Sequence, residues 1–226
     1  GSEMCIRDSK DGVTFEITIA SFIVLSLGTI LIFFGRKHNK NIQKREGYII
    51  VSLGWIMMTV TGMLPFILTN SMIDISSTFF ETMSGYTATG ATILSEIESL
   101  PSGILFWRSM THWIGGMGII VLAVAVLPLL GIGGIQLFSA EAPGPNNDKL
   151  HPRITDTAKR LWFIYVSFTI LEAILLSFAG MSIFDAVNHA MSTMASGGFS
   201  TKNNSLAFWN HLPLVQYIII LFIFLA

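Results

Sequence analysis

Apolar positions in this chain gather into five long runs instead of recurring at the spacing of a soluble amphipathic helix, and those runs predict its elements. Residues 13–34, 47–68, 104–130 and 161–179 each supply about the 20 residues a helix needs to cross a bilayer. A fifth run, 212–226, reaches the final residue after 15 positions with no polar or basic flank, so the natural chain is expected to continue. The expected fold class is an all-α polytopic membrane protein. Residues 1–12 are polar, carry the only cysteine (Cys5) and begin Gly-Ser, so they are read as a non-native or disordered leader outside the fold.

Between the runs lie two stretches, 69–103 and 180–211, far longer than a helix-to-helix turn requires. Each holds a semi-apolar segment too short to span, predicted as a re-entrant half-helix over 75–86 and 183–194. The two stretches match at a constant offset of 108 residues: Met83, Ser84 and Gly90 fall on Met191, Ser192 and Gly198. Three identities in thirteen is a faint repeat, but each copy sits between one spanning helix before it and one after it. The organisation is then a leading helix and basic loop (13–46), a first helix–pore loop–helix repeat (47–138), a loop (139–160) and a second repeat (161–226).

Composition agrees. Hydrophobic residues make up 52% and charged ones only 12%, where a soluble domain has about 25% charged. Mean hydropathy is +0.65. The 13 basic and 14 acidic residues balance to −1, which offers no nucleic-acid surface, and one cysteine excludes a disulfide framework. Nine of the thirteen basic residues sit in two loops, Arg36, Lys37, Lys40, Lys44 and Arg45, then Lys149, Arg153, Lys159 and Arg160. The positive-inside rule makes both loops cytoplasmic, and the two helices between them return the chain to that side. The intervening stretches, with Asp74, Glu81, Glu96, Glu98 and Asp185, face outward.

The half-helices lead into Thr, Ser, Gly and Ala with almost no bulk, which leaves backbone carbonyls uncovered. A desolvating cation needs oxygens to replace its water, and backbone carbonyls supply them. Gly90 and Gly198 permit the backbone angles such a strand demands. The C-terminal end of each half-helix adds a favourable dipole of about 0.3–1 kcal/mol.

These residues resemble a known family. The Thr87-Ala-Thr-Gly-Ala-Thr92 and Ser196-Gly-Gly-Phe-Ser-Thr201 loops, the Trp113-Ile-Gly-Gly-Met-Gly-Ile-Ile120 helix and Gly131-Ile-Gly-Gly-Ile-Gln-Leu-Phe-Ser-Ala-Glu141 look like the membrane subunit of the Trk/Ktr potassium uptake systems. The resemblance implies four repeats around one pore, the architecture of voltage-gated-like cation channels, each repeat giving one filter strand. Thr87, Ala88, Thr89, Gly90 and Ala91 would form one strand, and Ala195, Ser196, Gly197, Gly198 and Phe199 a second, binding the potassium ion through backbone carbonyls. One filter glycine per repeat implies moderate selectivity, with sodium permeation allowed. The chain holds the first two repeats, so the gating elements that relatives carry in the third and fourth have no counterpart here. The family also implies a cytosolic nucleotide-binding regulatory subunit docking on the basic loops, a homodimer of the full-length subunit, contact with membrane lipid, and the cytoplasmic membrane of a bacterium or archaeon.

Other residues suggest further roles. Gly115, Gly116 and Gly118 are read as close helix contacts, and Pro128 with 131–134 as a bend at the end of the third helix. Arg108 and His112 share a helix face, with Glu81 or Glu98 available to pair with Arg108. Glu172 is an ionisable group inside a spanning segment. Asp74, Glu96 and Glu98 offer weak cation attraction at the outer mouth. Asp185 and His189, also i, i+4, suit two metal ligands and motivate an alternative, a membrane-embedded metal-dependent hydrolase. A non-transporting scaffold is a further alternative. Asn203-Asn-Ser205 matches a glycosylation sequon with no role assigned.

Overall fold

The computed structural model describes residues 13–35, 44–72, 74–126 and 150–226. The leader, the basic residues Arg36, Lys37 and Lys40, Lys149 and the expected bend at Pro128 and 131–134 lie outside the described residues. Eight α-helices follow in order among those described: α1 (Val13–Gly35), α2 (Lys44–Gly62), α3 (Leu64–Leu68), α4 (Ile75–Tyr86), α5 (Ser102–Val126), α6 (Leu150–Phe178), α7 (Ile183–Met194) and α8 (Pro213–Leu225). Short 3-10 turns occupy Ile97–Ser99 and Ser205–Trp209. No strand occurs among the described residues.

Among the described residues three stretches are long and apolar enough to cross a membrane, Phe15–Phe33, Val51–Leu68 and Lys159–Phe178, with Pro213–Leu225 a shorter apolar helix. The third apolar run forms α5, whose 25 residues rise about 37 Å. Side chains such as Phe22, Phe33, Phe163 and Phe224 stand largely exposed on α1, α6 and α8, as an acyl-chain environment requires.

Two element boundaries differ from expectation. The run 47–68 is broken at Met63 into α2 and α3, because Pro65 has no N–H to give and its ring crowds the preceding turn. Beside the break the Gly62 carbonyl accepts the Trp107 indole N–H at 3.0 Å, which ties α2 to α5. The fourth helix begins at Leu150, eleven residues before the apolar run, so part of the expected 139–160 loop is helical. Pro152 stands in its first turn, where a missing N–H costs nothing.

Both half-helices fall where the repeat placed them. Asp74 caps α4 by accepting the Ser77 N–H at 2.8 Å, and Ser182 caps α7 by accepting the Asp185 N–H at 3.1 Å. The α7 helix packs between α5 and α6, and α4 packs on α5 and α2. A cluster of Leu176, Met181, Ala186, Trp209, Val215 and Ile219 closes the second repeat, and Tyr165, Met194 and Phe222 form another beneath the end of α7.

Candidate functional site: two paired loops at the half-helix ends

The end of each half-helix turns into its loop through the same backbone path. Ala88 and Ser196 are left-handed at φ 51° and 55°, and Gly90 and Gly198 at 75° and 88°. A left-handed alanine and serine are uncommon, and their recurrence at the offset of 108 makes the path a repeat of geometry, not of letters. Hydrogen bonds recur with it: Thr89 N–H donates to the Ser84 carbonyl (3.0 Å) and Gly197 N–H to the Ser192 carbonyl (2.9 Å).

Of the ten residues proposed for the two strands, nine have carbonyl oxygens that accept no hydrogen bond among the described residues: Thr87 to Gly90, and Ala195 to Phe199. Ala91 departs from the expectation, since its carbonyl is taken by the Ser84 hydroxyl at 2.6 Å and so turns back toward α4. The strands touch. A Cβ on Gly90 would run into the Gly197 carbonyl oxygen, whereas one on Gly198 would meet nothing within 4 Å.

Behind the first strand lies Glu81, 1% exposed, whose carboxylate accepts the Thr92 hydroxyl (2.9 and 3.0 Å) and the Ile93 N–H (3.0 Å). At the matching position of the second repeat stands His189. Its Nδ1 lies 2.8 Å from the Asp185 carbonyl, which can only accept, so Nδ1 carries the proton and Nε2 accepts the Ser200 hydroxyl at 3.1 Å. Each half-helix thus holds the residue two places beyond its loop glycine, once through a carboxylate and once through a neutral imidazole.

Helix α5 reaches across to the second strand. Arg108, 2% exposed, donates from Nε to Glu81 Oε1 at 2.6 Å and from Nη1 to the Ser200 carbonyl at 3.1 Å. Its Cζ sits 3.7 Å over the Phe199 ring, and His112 stacks on that ring at 3.8 Å and 14°. His112 Nδ1 also meets the Ser192 hydroxyl at 2.9 Å. Of the two partners expected for Arg108, Glu81 takes the role. Glu98 instead lies 3.9 Å from Lys202. One turn on, a Cβ at Gly115 would strike the Tyr86 carbonyl, and one at Gly116 would press on Ala195 at 3.0 Å, as close helix contact predicts. Gly118 has only Trp55 at 3.6 Å, an ordinary contact.

The remaining candidates resolve by their contacts. Asp185 accepts the Thr201 hydroxyl (2.6 Å) and the Ser182 hydroxyl (2.7 Å), so it and His189 serve the loop. No group of three His, Cys, Asp or Glu placed to hold a metal occurs among the described residues. Asp74 is spent on its cap, where the Ser77 hydroxyl and then the Ser77 N–H hold its carboxyl below the usual range. Asn203 accepts the Ile97 N–H at 2.7 Å, joining the two outer loops. Glu172 is fully buried beside the Thr193 side chain, with neither carboxyl oxygen in a hydrogen bond of good geometry.

The loop residues are legible in the sequence, and of what backs them only the choice of Glu81 or Glu98 for Arg108 is. Phe199 was named for its carbonyl, yet its ring is the wedge between Arg108 and His112. The one usable signal was Ser84 over Ser192, whose hydroxyls take different partners, Ala91 and His112.

Known proteins resemble this chain over nearly all of its length. The chain is 48% identical over 219 residues to the Trk system potassium uptake protein TrkH of Salmonella typhimurium, covering 96% of this chain and 45% of that protein. It is 39% identical to the Trk system potassium uptake protein TrkG of Escherichia coli, over 89% and 42% of the two chains. The crystal structure of the potassium transporter TrkH from Vibrio parahaemolyticus superposes with a TM-score of 0.81 at 40% identity, covering 94% of this chain and 42% of that one. The chain therefore spans a little under half the length of these relatives. The family model described as TrkH, cation transport protein, matches residues 13–226, and the chain belongs to that family.

Proposed function

We propose that this chain contributes two filter strands to a potassium-translocating membrane protein of a Trk-type uptake system. The observation that carries the reading is the pair of matching loops, in contact with each other, that present nine unbonded carbonyl oxygens. Oxygens already turned out of hydrogen bonding replace a cation's hydration shell without reorganisation, and neutral carbonyls release the ion again where a carboxylate would trap it. Translocation is passive and makes or breaks no covalent bond. Thr87, Ala88, Thr89 and Gly90 serve one side of the path, and Ala195, Ser196, Gly197, Gly198 and Phe199 the other. Potassium is the cargo, with sodium a poorer competitor. The repeat boundaries 47–138 and 161–226 are the units that deliver the strands.

Relatives named for a Trk system support an assembly with further components. We assign the partner as a cytosolic nucleotide-binding regulatory subunit that docks on the basic loops, the full-length subunit as a homodimer, and the location as a bacterial or archaeal cytoplasmic membrane. The test is rubidium-86 uptake into liposomes by the longest natural form of the protein, with a Gly90→Asp variant beside it. Uptake that potassium competes and the variant abolishes is expected. A protein that inserts and carries no ion above empty liposomes, even with cytosolic extract and nucleotide, sinks the reading in favour of a scaffold.

A further inference from the structure

Arg108 links the support of the first loop to the backbone of the second. Its Nε holds Glu81, which in turn holds Thr92 and Ile93 just past the first loop, while Nη1 holds the Ser200 carbonyl just past the second. Its flat face covers the Phe199 ring, which also stacks on His112. We propose that Arg108, with Glu81 as its counter-ion and Phe199 as its wedge, is a positioning residue that fixes the separation of the two strands and so sets which monovalent cations they accept. The inference rests on the filter reading above.

The chemistry requires arginine in particular. A planar guanidinium directs its N–H groups along fixed lines in one plane and leaves its face free to stack, so one group can serve a carboxylate, a carbonyl and an aromatic ring at once. An ammonium is a point charge that can satisfy Glu81 but cannot span to Ser200 and cover Phe199 together. Loss of the fork lets the second strand move off the first at the contact between Gly90 and the Gly197 carbonyl. Carbonyl cages discriminate by how closely their oxygens are held, so a looser pair penalises the smaller ion less.

The test compares Arg108→Lys and Phe199→Leu with the parent, in the longest natural form, reading rubidium uptake against competing sodium and lithium. The first variant keeps the charge opposite Glu81, and the second keeps an apolar group of similar bulk, so each addresses the strap without stranding a buried charge. Both are expected to raise sodium competition by about tenfold while maximal uptake per inserted protein falls less, since a strap lost from a filter alters preference more than flux. Wild-type preference in either variant that inserts, with only the amount of folded protein reduced, overturns the proposal and leaves Arg108 a scaffold residue. If one variant does not insert, the other decides. A parent that carries no cation at all fails the filter reading itself, a result distinct from a discriminating parent whose variants discriminate equally.

Discussion

The two loop glycines share a backbone conformation but differ in what surrounds them, which allows strain and contact to be separated. Gly90→Ala and Gly198→Ala both place a methyl group at φ 75° or 88°, where an L-residue costs about 1–2 kcal/mol. At Gly198 that is the whole cost, because nothing lies within 4 Å of the new atom. At Gly90 the methyl collides with the Gly197 carbonyl oxygen, a backbone atom that cannot swing aside, and overpacking of this kind adds about 1–3 kcal/mol. The 226-residue chain in detergent, unfolded by heat and followed by tryptophan fluorescence, is the direct assay. For a chain of this size 1 kcal/mol moves Tm by about 2–4 °C. Gly90→Ala is therefore expected to melt about 2–12 °C below Gly198→Ala. Equal melting temperatures, or a larger loss at Gly198, would refute the claim that the strands bear on each other at Gly90.

Further outcomes follow from the supports around the loops. Glu81→Gln leaves the Arg108 charge buried and unmatched, so it should destabilise by about 3–5 kcal/mol, while Glu81→Gln with Arg108→Met should cost less than the two single changes together; thermal unfolding of the four proteins measures the difference. Because hydrogen bonds from Ser77 depress the Asp74 carboxyl, the stabilising effect of its charge is complete above the unfolded value near pH 4 and is lost as pH falls through the lower folded value. Asp74→Asn keeps the cap without the charge, so the Tm gap between it and the parent should hold steady above pH 5 and close on acidification. Glu172→Gln removes an ionisable group buried in a spanning helix beside Thr193, and is expected to melt at or above the parent temperature at pH 7; a fall would mean that Thr193 holds the carboxylate.

Hydropathy located the membrane helices because a bilayer imposes one rule on every lipid-facing position, and the half-helices because they were too short to obey it. Both half-helix spans were legible as about 75–86 and 183–194, while the capping residue before each, Asp74 and Ser182, emerges from the structure. The broken helix at Met63 was written in Pro65 but hidden inside an unbroken apolar run. The early start of α6 was invisible for the opposite reason: its first residues are polar and were read as loop, although charged residues such as Lys159 and Arg160 extend a helix freely where it leaves the apolar layer. In the site, the backbone path was readable from Gly90 and Gly198, since glycine at matching places reports torsion. Of the supports, the charges offered Arg108 a choice of Glu81 or Glu98, but its second bond, to the Ser200 carbonyl 92 positions away, was not readable, because no local pattern encodes a contact of that span. Nor did any pattern say that Ala91 would turn its carbonyl away toward Ser84.

The unlike supports of the two loops, a carboxylate under one and an imidazole under the other, bear on how such a site changes over generations. In an assembly of identical subunits every replacement is copied into each subunit, so an alteration arrives at full dose and is usually intolerable. Here each loop has its own stretch of gene, and a replacement arrives once. One loop can drift while the other keeps its geometry, so the pair can change in small steps, and a carboxylate can settle under one loop without appearing under the other, as Glu81 has done opposite His189.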